Sequence, residues 1–409
     1  MDELEDRLLT NIDPTVLVPP RQPGGKNMRN LPLFEAHPLR RAYRSRGNLQ
    51  LPVEFHAYSA NNTTVVFLAN KQKVSDFLEP IGYEPVVVRL SEAEAEPYQL
   101  SDGEYAIVNL VMNDYEDTSA GPYKALPLSV FALRKRESGE NAEDDKAVAR
   151  ELKGPTAALL PLLDPQVALV MGPLAMSKNQ AALDVGRDVM GIDKFVTDVR
   201  IEHELGGTRT SVVDASRKQL LLIQVNNGSP EELLNAQARL FTELGIFGSF
   251  KILLGKNEPI AHPFIGWNGS RATMTDGDGD PQLPPSPAYC TSYTLNSPAF
   301  KLWRVGLDTF ERELGCPLTD RLIDFDCKPI LASFDKLVSV AVERDDAKSS
   351  ALLARSKEAA KRTKARERKE TASLPAEERV AKKTPTAKNA RAAKRPPRPK
   401  KASRATGRR

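Results

Sequence analysis

The chain has 409 residues, with 58 Lys and Arg against 54 Asp and Glu, a formal charge of +4. That figure joins two unlike regions: 22 basic and 5 acidic side chains fall between Lys348 and Arg409, a net of +17, so residues 1–347 carry −13. With 40% apolar residues the body can bury a substantial core, which excludes a chain disordered throughout.

In chain order, residues 1–50 are rich in Pro, Gly and Arg and read as an irregular arm over the surface. The acidic start Met1-Asp2-Glu3-Leu4-Glu5-Asp6-Arg7 has no basic-then-apolar pattern, and no apolar run approaches a membrane span. The expectation is a cytoplasmic protein without membrane contact. A folded region covers residues 51–346. Thr63–Leu68 is β-branched and apolar and predicts a strand, Lys71–Leu78 has helical spacing, and Glu79-Pro80-Ile81-Gly82 stops that helix before the strand Val86–Val88. Tyr105–Met112 and Leu126–Leu133 are further strands, separated by a polar turn around Asp114–Gly121. The charged stretch from Arg134 to Lys153 reads as an insertion loop.

Val167–Met171 resumes a strand, and Asn179–Met190 predicts a short helix with Ala182, Val185 and Val189 on its buried face. Phe195–Ile201 alternates as a half-exposed strand, and Gln219–Val225 as a buried one. Ser229-Pro230-Glu231-Glu232 opens a capped helix, Phe250–Leu254 and Tyr289–Leu295 are strands, and Ser297-Pro298 opens a helix ending near Gly315. The succession of strands favours an α+β fold, mainly antiparallel β, over a doubly wound sheet.

The tail, residues 347–409, has no aromatic residue and few large apolar ones, and reads as basic and disordered or partly helical. Ala351–Glu370 has the composition of a charged helix. Lys382–Arg409 is similar to linker-histone tails, and Lys382, Lys383, Lys394, Arg395, Lys400 and Lys401 are its candidate contacts to nucleic acid or another polyanion.

Several chemistries are absent from the sequence. There is no Gly-rich phosphate loop, GxSxG or HExxH. His203-Glu204 lacks a second His at ligand spacing, and Asp276-Gly277-Asp278-Gly279-Asp280 carries Pro281 where a calcium loop needs Gly. Cys290, Cys316 and Cys327 are odd in number and widely spaced, which points to reduced thiols. Neither a metal nor a cofactor is expected.

The informative stretch is Gly186-Arg187-Asp188, followed by Met190, Ile192, Asp193, Lys194 and Phe195. It resembles the acetoacetate decarboxylase family, whose central motif has Gly-Arg-Glu followed by a lysine pair. Asp117-Thr118-Ser119-Ala120-Gly121-Pro122-Tyr123-Lys124 is similar to the turn before that family's G-x-Y-x-E motif. The resemblance covers roughly residues 50–340. It implies a curved antiparallel sheet closing into a barrel or cone, a homo-oligomer, and a decarboxylase or other lyase, or an aldolase-dehydratase, acting on a small keto-acid or other carbonyl substrate.

Lys194 falls at the position of the family's Schiff-base lysine, and Arg187, Asp188, Tyr123, Met190 and Phe195 become the expected substrate-binding residues. Three departures bear on chemistry: Phe195 replaces the second lysine, Ala125 replaces the carboxylate of G-x-Y-x-E, and no Arg lies between Arg46 and Arg89. A Schiff-base lysine must be neutral to attack, against an ordinary pKa of about 10.4. Without the second lysine, its activation is expected to rest on desolvation by Ile192, Phe195 and Met190. Asp193, on the opposite face of an extended segment, is expected to point away from the amine. Tyr115, Asp114 and Glu116, with Tyr123, are candidate proton donors. The competing expectation is a non-catalytic relative that binds a small molecule or acts as a scaffold.

Overall fold

The computed structural model describes residues 8–9, 30–135, 152–153, 166–204, 207–226, 259–267, 287–295, 302–305 and 307–373. The β-branched run of Thr63–Leu68 sits inside a long strand, β1 (Phe55–Asn70). It is followed by β2 (Gly103–Thr118), β3 (Tyr123–Arg134), β4 (Ala168–Met176), β5 (Ile260–Gly266), β6 (Ala288–Leu295) and β7 (Lys328–Arg344). Each pairs with the next and β7 pairs with β1, closing a seven-stranded barrel in chain order. An odd ring cannot alternate direction throughout, so one neighbouring pair must be parallel. That pair is β4 and β5; the other six are antiparallel. The expected mainly antiparallel α+β barrel is the observed class.

The parallel step is where the chain leaves the barrel. Met171 and Leu174 flank a register shift against β3, and between them Pro173 has no N–H to give to a ladder. Before the shift β4 pairs with β5; after it β4 pairs with a short parallel strand, Lys194–Val196, with Lys194 opposite Leu174. A four-stranded antiparallel sheet follows, made of Asp198–Glu204, Gly207–Val213, Gln219–Asn226 and Thr309–Arg312.

Alternation sorts the barrel residues into two environments. Val108, Leu110 and Met112 of β2, with Leu126, Leu128 and Val130 of β3, face outward into one core shared with Val199, Ile201, Leu221 and Ile223 of the four-stranded sheet. The helix Lys71–Leu78 covers part of this face through Val74, Phe77 and Leu78. Asn70 caps it by accepting from the Lys73 N–H at 3.1 Å, and Gly82, at φ 74°, takes the left-handed turn that follows. Inside the barrel, Val66, Leu68, Ile107, Phe131 and Ile330 form an apolar plug at one end.

Several expectations are corrected. The polar residues after Met112 do not turn: β2 runs on to Thr118, and the turn is confined to residues 119–122, where Gly121 has φ 86°. The segment read as a helix from Ser297 contains strands Leu302–Val305 and Thr309–Arg312, and the helix begins only at Pro317, beyond Gly315. The strands Ile260–Gly266 and Lys328–Arg344 went unread. Within residues 1–50, described parts include a helix, Leu31–Ala36, and strands Leu8–Leu9 and Ala42–Arg44; the last pairs with Gln50–Pro52. The helix Asp346–Ser373 includes the stretch read as helical, and Leu352 on it is buried in the main core. Residues 1–359 and 360–409 form separate units.

Most of the Arg134–Lys153 stretch, the Ser229 helix, Phe250–Leu254, Asp276–Asp280 and the six tail cations from Lys382 to Lys401 lie outside the described residues. Among those described, no helix is long and apolar enough to cross a membrane.

Candidate active site

Lys194 is 4% exposed, and its side chain enters a cavity of about 220 Å³ inside the barrel. The segment that delivers it begins at Asn179, whose side chain accepts from the Ala182 N–H at 2.9 Å and donates to the carbonyls of Ala120 and Pro122. One turn of α-helix, Gln180–Asp184, passes into a π-helical turn, Val185–Val189, a wider winding often found at functional sites. Gly191, at φ 64°, reverses the chain so that Lys194 faces back across the turn. The Lys194 amine donates to the Ala182 carbonyl at 2.9 Å. Gly186 makes the space for it, because a methyl group there would stand 2.5 Å from Nζ and closer still to the aliphatic stem.

Two neighbours fix the electrostatics. Burial, and then the Arg187 guanidinium, push the Lys194 amine down to about 7. The Arg187 Nε and Nη2 groups donate to the Lys194 carbonyl at 2.9 and 2.7 Å, holding the cation beside the amine. A fall from 10.5 to about 7 costs the ammonium form on the order of 5 kcal/mol. Opposing this, Nζ lies 5.5 Å from the Tyr123 ring centroid, and a ring face favours an ammonium by about 2 kcal/mol when desolvated. Desolvation and Arg187 outweigh the ring. Arg187, on the preceding turn, is thus a cation beside the amine.

The cavity wall follows the barrel alternation. Asn109, Val111, Asn113 and Tyr115 of β2 and Tyr123, Ala125, Pro127 and Ser129 of β3 all face it. Phe55, Tyr115 and Tyr123 form an aromatic cluster, with the two tyrosine centroids 4.7 Å apart. Burial pushes both phenols well above their ordinary value, so they stay protonated. Met190 and Ile192 line the cavity, as expected of desolvating residues, together with Leu174 and Phe264. No Asp, Glu, Arg or His lines it among the described residues.

Three expected substrate-binding residues lie elsewhere. Phe195 follows Lys194 in an extended strand, so it points outward and packs in the core between barrel and four-stranded sheet. Asp188 is buried against Arg46, accepting from its backbone N–H at 3.2 Å and pairing with its Nε at 3.4 Å. Asp184, one turn earlier, accepts from Ser45 Oγ at 2.6 Å and from the Gly47 N–H at 3.3 Å. These carboxylates lash the lysine-bearing segment to residues 45–47. Arg187 acts on the amine but is not part of the cavity wall.

Of the candidate proton donors, Tyr115 and Tyr123 face the cavity, whereas Asp114 and Glu116 have the other parity. Asp114 pairs with Lys124 at 2.9 Å and with His203 at 3.6 Å; burial works against its ionisation, but these partners hold its carboxyl below the usual range. Glu116 accepts from Ser59 and Asn61. Asn62, Asn109, Asn113, Ser129, Ser292 and Thr294 went unread as cavity residues. The signal for half of them was present: Asn109, Asn113 and Ser129 interrupt apolar strands on the parity opposite to the outer core.

No protein-family model matches the chain, and no curated protein matches it. Among solved structures, the chain is similar to the crystal structure of acetoacetate decarboxylase from Legionella pneumophila subsp. pneumophila str. Philadelphia 1, at 10% identity and a TM-score of 0.40, covering 71% of this chain and 85% of that one. It is also similar to a structure from a study of acetoacetate decarboxylase, at 10% identity and a TM-score of 0.37, covering 72% and 91% of the two chains.

Proposed function

We propose that the protein is a lyase that acts on a small keto or other carbonyl substrate through a Schiff base at Lys194. The observation that carries this reading is a buried amine, pushed down to about 7, facing a cavity of about 220 Å³ whose wall, among the described residues, has no carboxylate to hold it charged. Near neutral pH about half of such an amine is unprotonated, against less than 0.1% of a lysine with an ordinary pKa of about 10.4. One of its N–H groups is engaged by the Ala182 carbonyl, and the lone pair of the neutral form is left for the cavity. Attack on a carbonyl carbon gives a carbinolamine, loss of water gives the iminium, and the iminium accepts the electron pair of the bond that breaks at the next carbon. The protonated Tyr115 and Tyr123 phenols line the same cavity and are the groups we assign to donate hydrogen bonds to the departing oxygen. A cavity of roughly 150 Å³ holds benzene, so 220 Å³ admits a compound of similar or slightly larger size. The match of Gly186-Arg187-Asp188 and Lys194 to the acetoacetate decarboxylase motif supports the same reading.

The test is reductive trapping: incubate the full chain with a panel of keto acids, ketones and aldehydes, add borohydride, and map the modified peptide by mass spectrometry. An adduct on Lys194 is expected. Absence of any Lys194 adduct, while an acetoacetate decarboxylase is labelled in parallel, removes the reading.

A second reading is favoured by Ala125, which stands in the cavity wall where a carboxylate is missing: a non-catalytic binding or scaffold protein whose basic tail contacts nucleic acid. It predicts a ligand-dependent rise in Tm without trapping, and DNA binding that weakens steeply with salt and is lost when the chain is cut after Ser373. Both readings carry a cytoplasmic location, supported by three buried, unpaired cysteines. Homo-oligomer formation is part of the first, and light scattering checks it.

A further inference from the structure

Resting on the Schiff-base reading, we infer that the substrate is an uncharged aldehyde or ketone carrying a hydroxyl group, and not a keto acid. The cavity wall has two chemistries. Around the amine it is apolar and aromatic, formed by Tyr115, Tyr123, Met190 and Ile192. Deeper along β1 and β2 it carries neutral hydrogen-bonding groups, and the register sets their place: Tyr115 is opposite Tyr123, and one strand step further in, Asn62 is opposite Asn113, which is opposite Ala125. Two residues along a strand span about 7 Å, so these amides lie about that far along the wall from the tyrosine pair, whose Tyr123 ring is beside the amine.

The Asn62 Oδ1 atom is buried and accepts no hydrogen bond. An orphaned acceptor of this kind is costly unless a ligand or a water supplies a donor. Its neighbour differs: the Asn109 Oδ1 atom takes the Ser129 hydroxyl. Asn62 therefore asks for an O–H or N–H on the ligand, and a carboxylate has neither. A carboxylate would also enter a wall whose cation, among the described residues, is the Lys194 amine alone, and that amine must be neutral to react. The neutral donors of the wall, the Asn113 amide and the two phenols, offset the loss of its hydration less than a second cation would. A hydroxyl satisfies Asn62 Oδ1 and, with its own lone pairs, can accept from the facing Asn113 amide.

Three compounds of equal length separate these cases: 4-hydroxybutan-2-one, pentan-2-one and acetoacetate. Trapping on the full chain with cyanoborohydride, read as Lys194 adduct against ligand concentration, is expected to half-saturate at least tenfold lower for the hydroxyketone than for either other compound. Asn62→Leu is expected to erase the preference over pentan-2-one while Lys194 still reacts. Equal or better trapping by acetoacetate or pentan-2-one overturns this inference and leaves the Schiff base standing, as does an Asn62→Leu protein that keeps the preference. If the variant does not fold, the wild-type series decides. No Lys194 adduct with any of the three overturns the proposed function and this inference together.

Discussion

Replacing Lys194 with Met tests whether the protein carries the cost of a desolvated amine. The folded pKa of about 7 lies below the unfolded value of 10.5. Between those values the unfolded chain binds more protons than the folded one, so wild-type stability rises with pH across this window. Below about pH 7 both states are protonated and the full penalty, on the order of 5 kcal/mol, is present; above pH 10.5 both are neutral and it is gone. Met fills a similar volume and has no charge. The variant should therefore be more stable than wild type at neutral pH, by the penalty less about 1 kcal/mol for the lost hydrogen bond to Ala182 and any loss of packing. The gap should narrow by about 2–3 kcal/mol between pH 7.5 and 9.5, a difference in which all other titrating groups cancel. Urea unfolding of both proteins at four or five pH values measures it. A gap independent of pH, or one that widens as pH rises, refutes the claim that burial holds the amine near neutrality.

Three further outcomes follow from the same geometry. Arg187→Met removes the neighbouring cation and should raise the Lys194 midpoint, whereas Arg187→Lys should leave it low; competitive acylation against pH, read on the Lys194 peptide, distinguishes them. Gly186→Ala puts a methyl group 2.5 Å from Nζ, so trapping should fall at least tenfold and stability by about 1–3 kcal/mol, with unchanged trapping ruling out the close packing of that turn. Cys290 and Cys327 are buried with thiols pushed up to about 12, and they should resist a disulfide reagent at pH 8 until urea unfolds the chain; rapid reaction in the native state would contradict their burial.

What the sequence revealed followed from local signals. The helix Lys71–Leu78 has its spacing and its stop within twelve residues, and its bounds match the observed ones. The strand-rich α+β class was legible because apolar β-branched runs recur, and the barrel only through the family resemblance; β5 and β7 were not read. Ile260–Gly266 has a proline at its centre, and β7 pairs through three register shifts that break a simple alternation. Lys194 was found through its motif, while its activation by Arg187 depends on a π-helical turn that no residue pattern announced. Phe195, Asp114 and Glu116 were drawn into the candidate site by closeness in sequence, and strand parity carried each to the other face. The asparagines of the barrel interior were hidden for another reason: Asn109 and Asn113 share one face of β2, and only the pairing of β1 with β2 sets Asn62 opposite Asn113 and turns all three to one cavity.

The pH profile of reductive trapping at Lys194 is the most direct test of the central claim. With a reactive aldehyde, cyanoborohydride and peptide mapping, adduct should collect on Lys194 ahead of the surface lysines, with formation rising through a midpoint near pH 7. A midpoint near 10, or label spread over surface lysines with Lys194 unmodified, would contradict it.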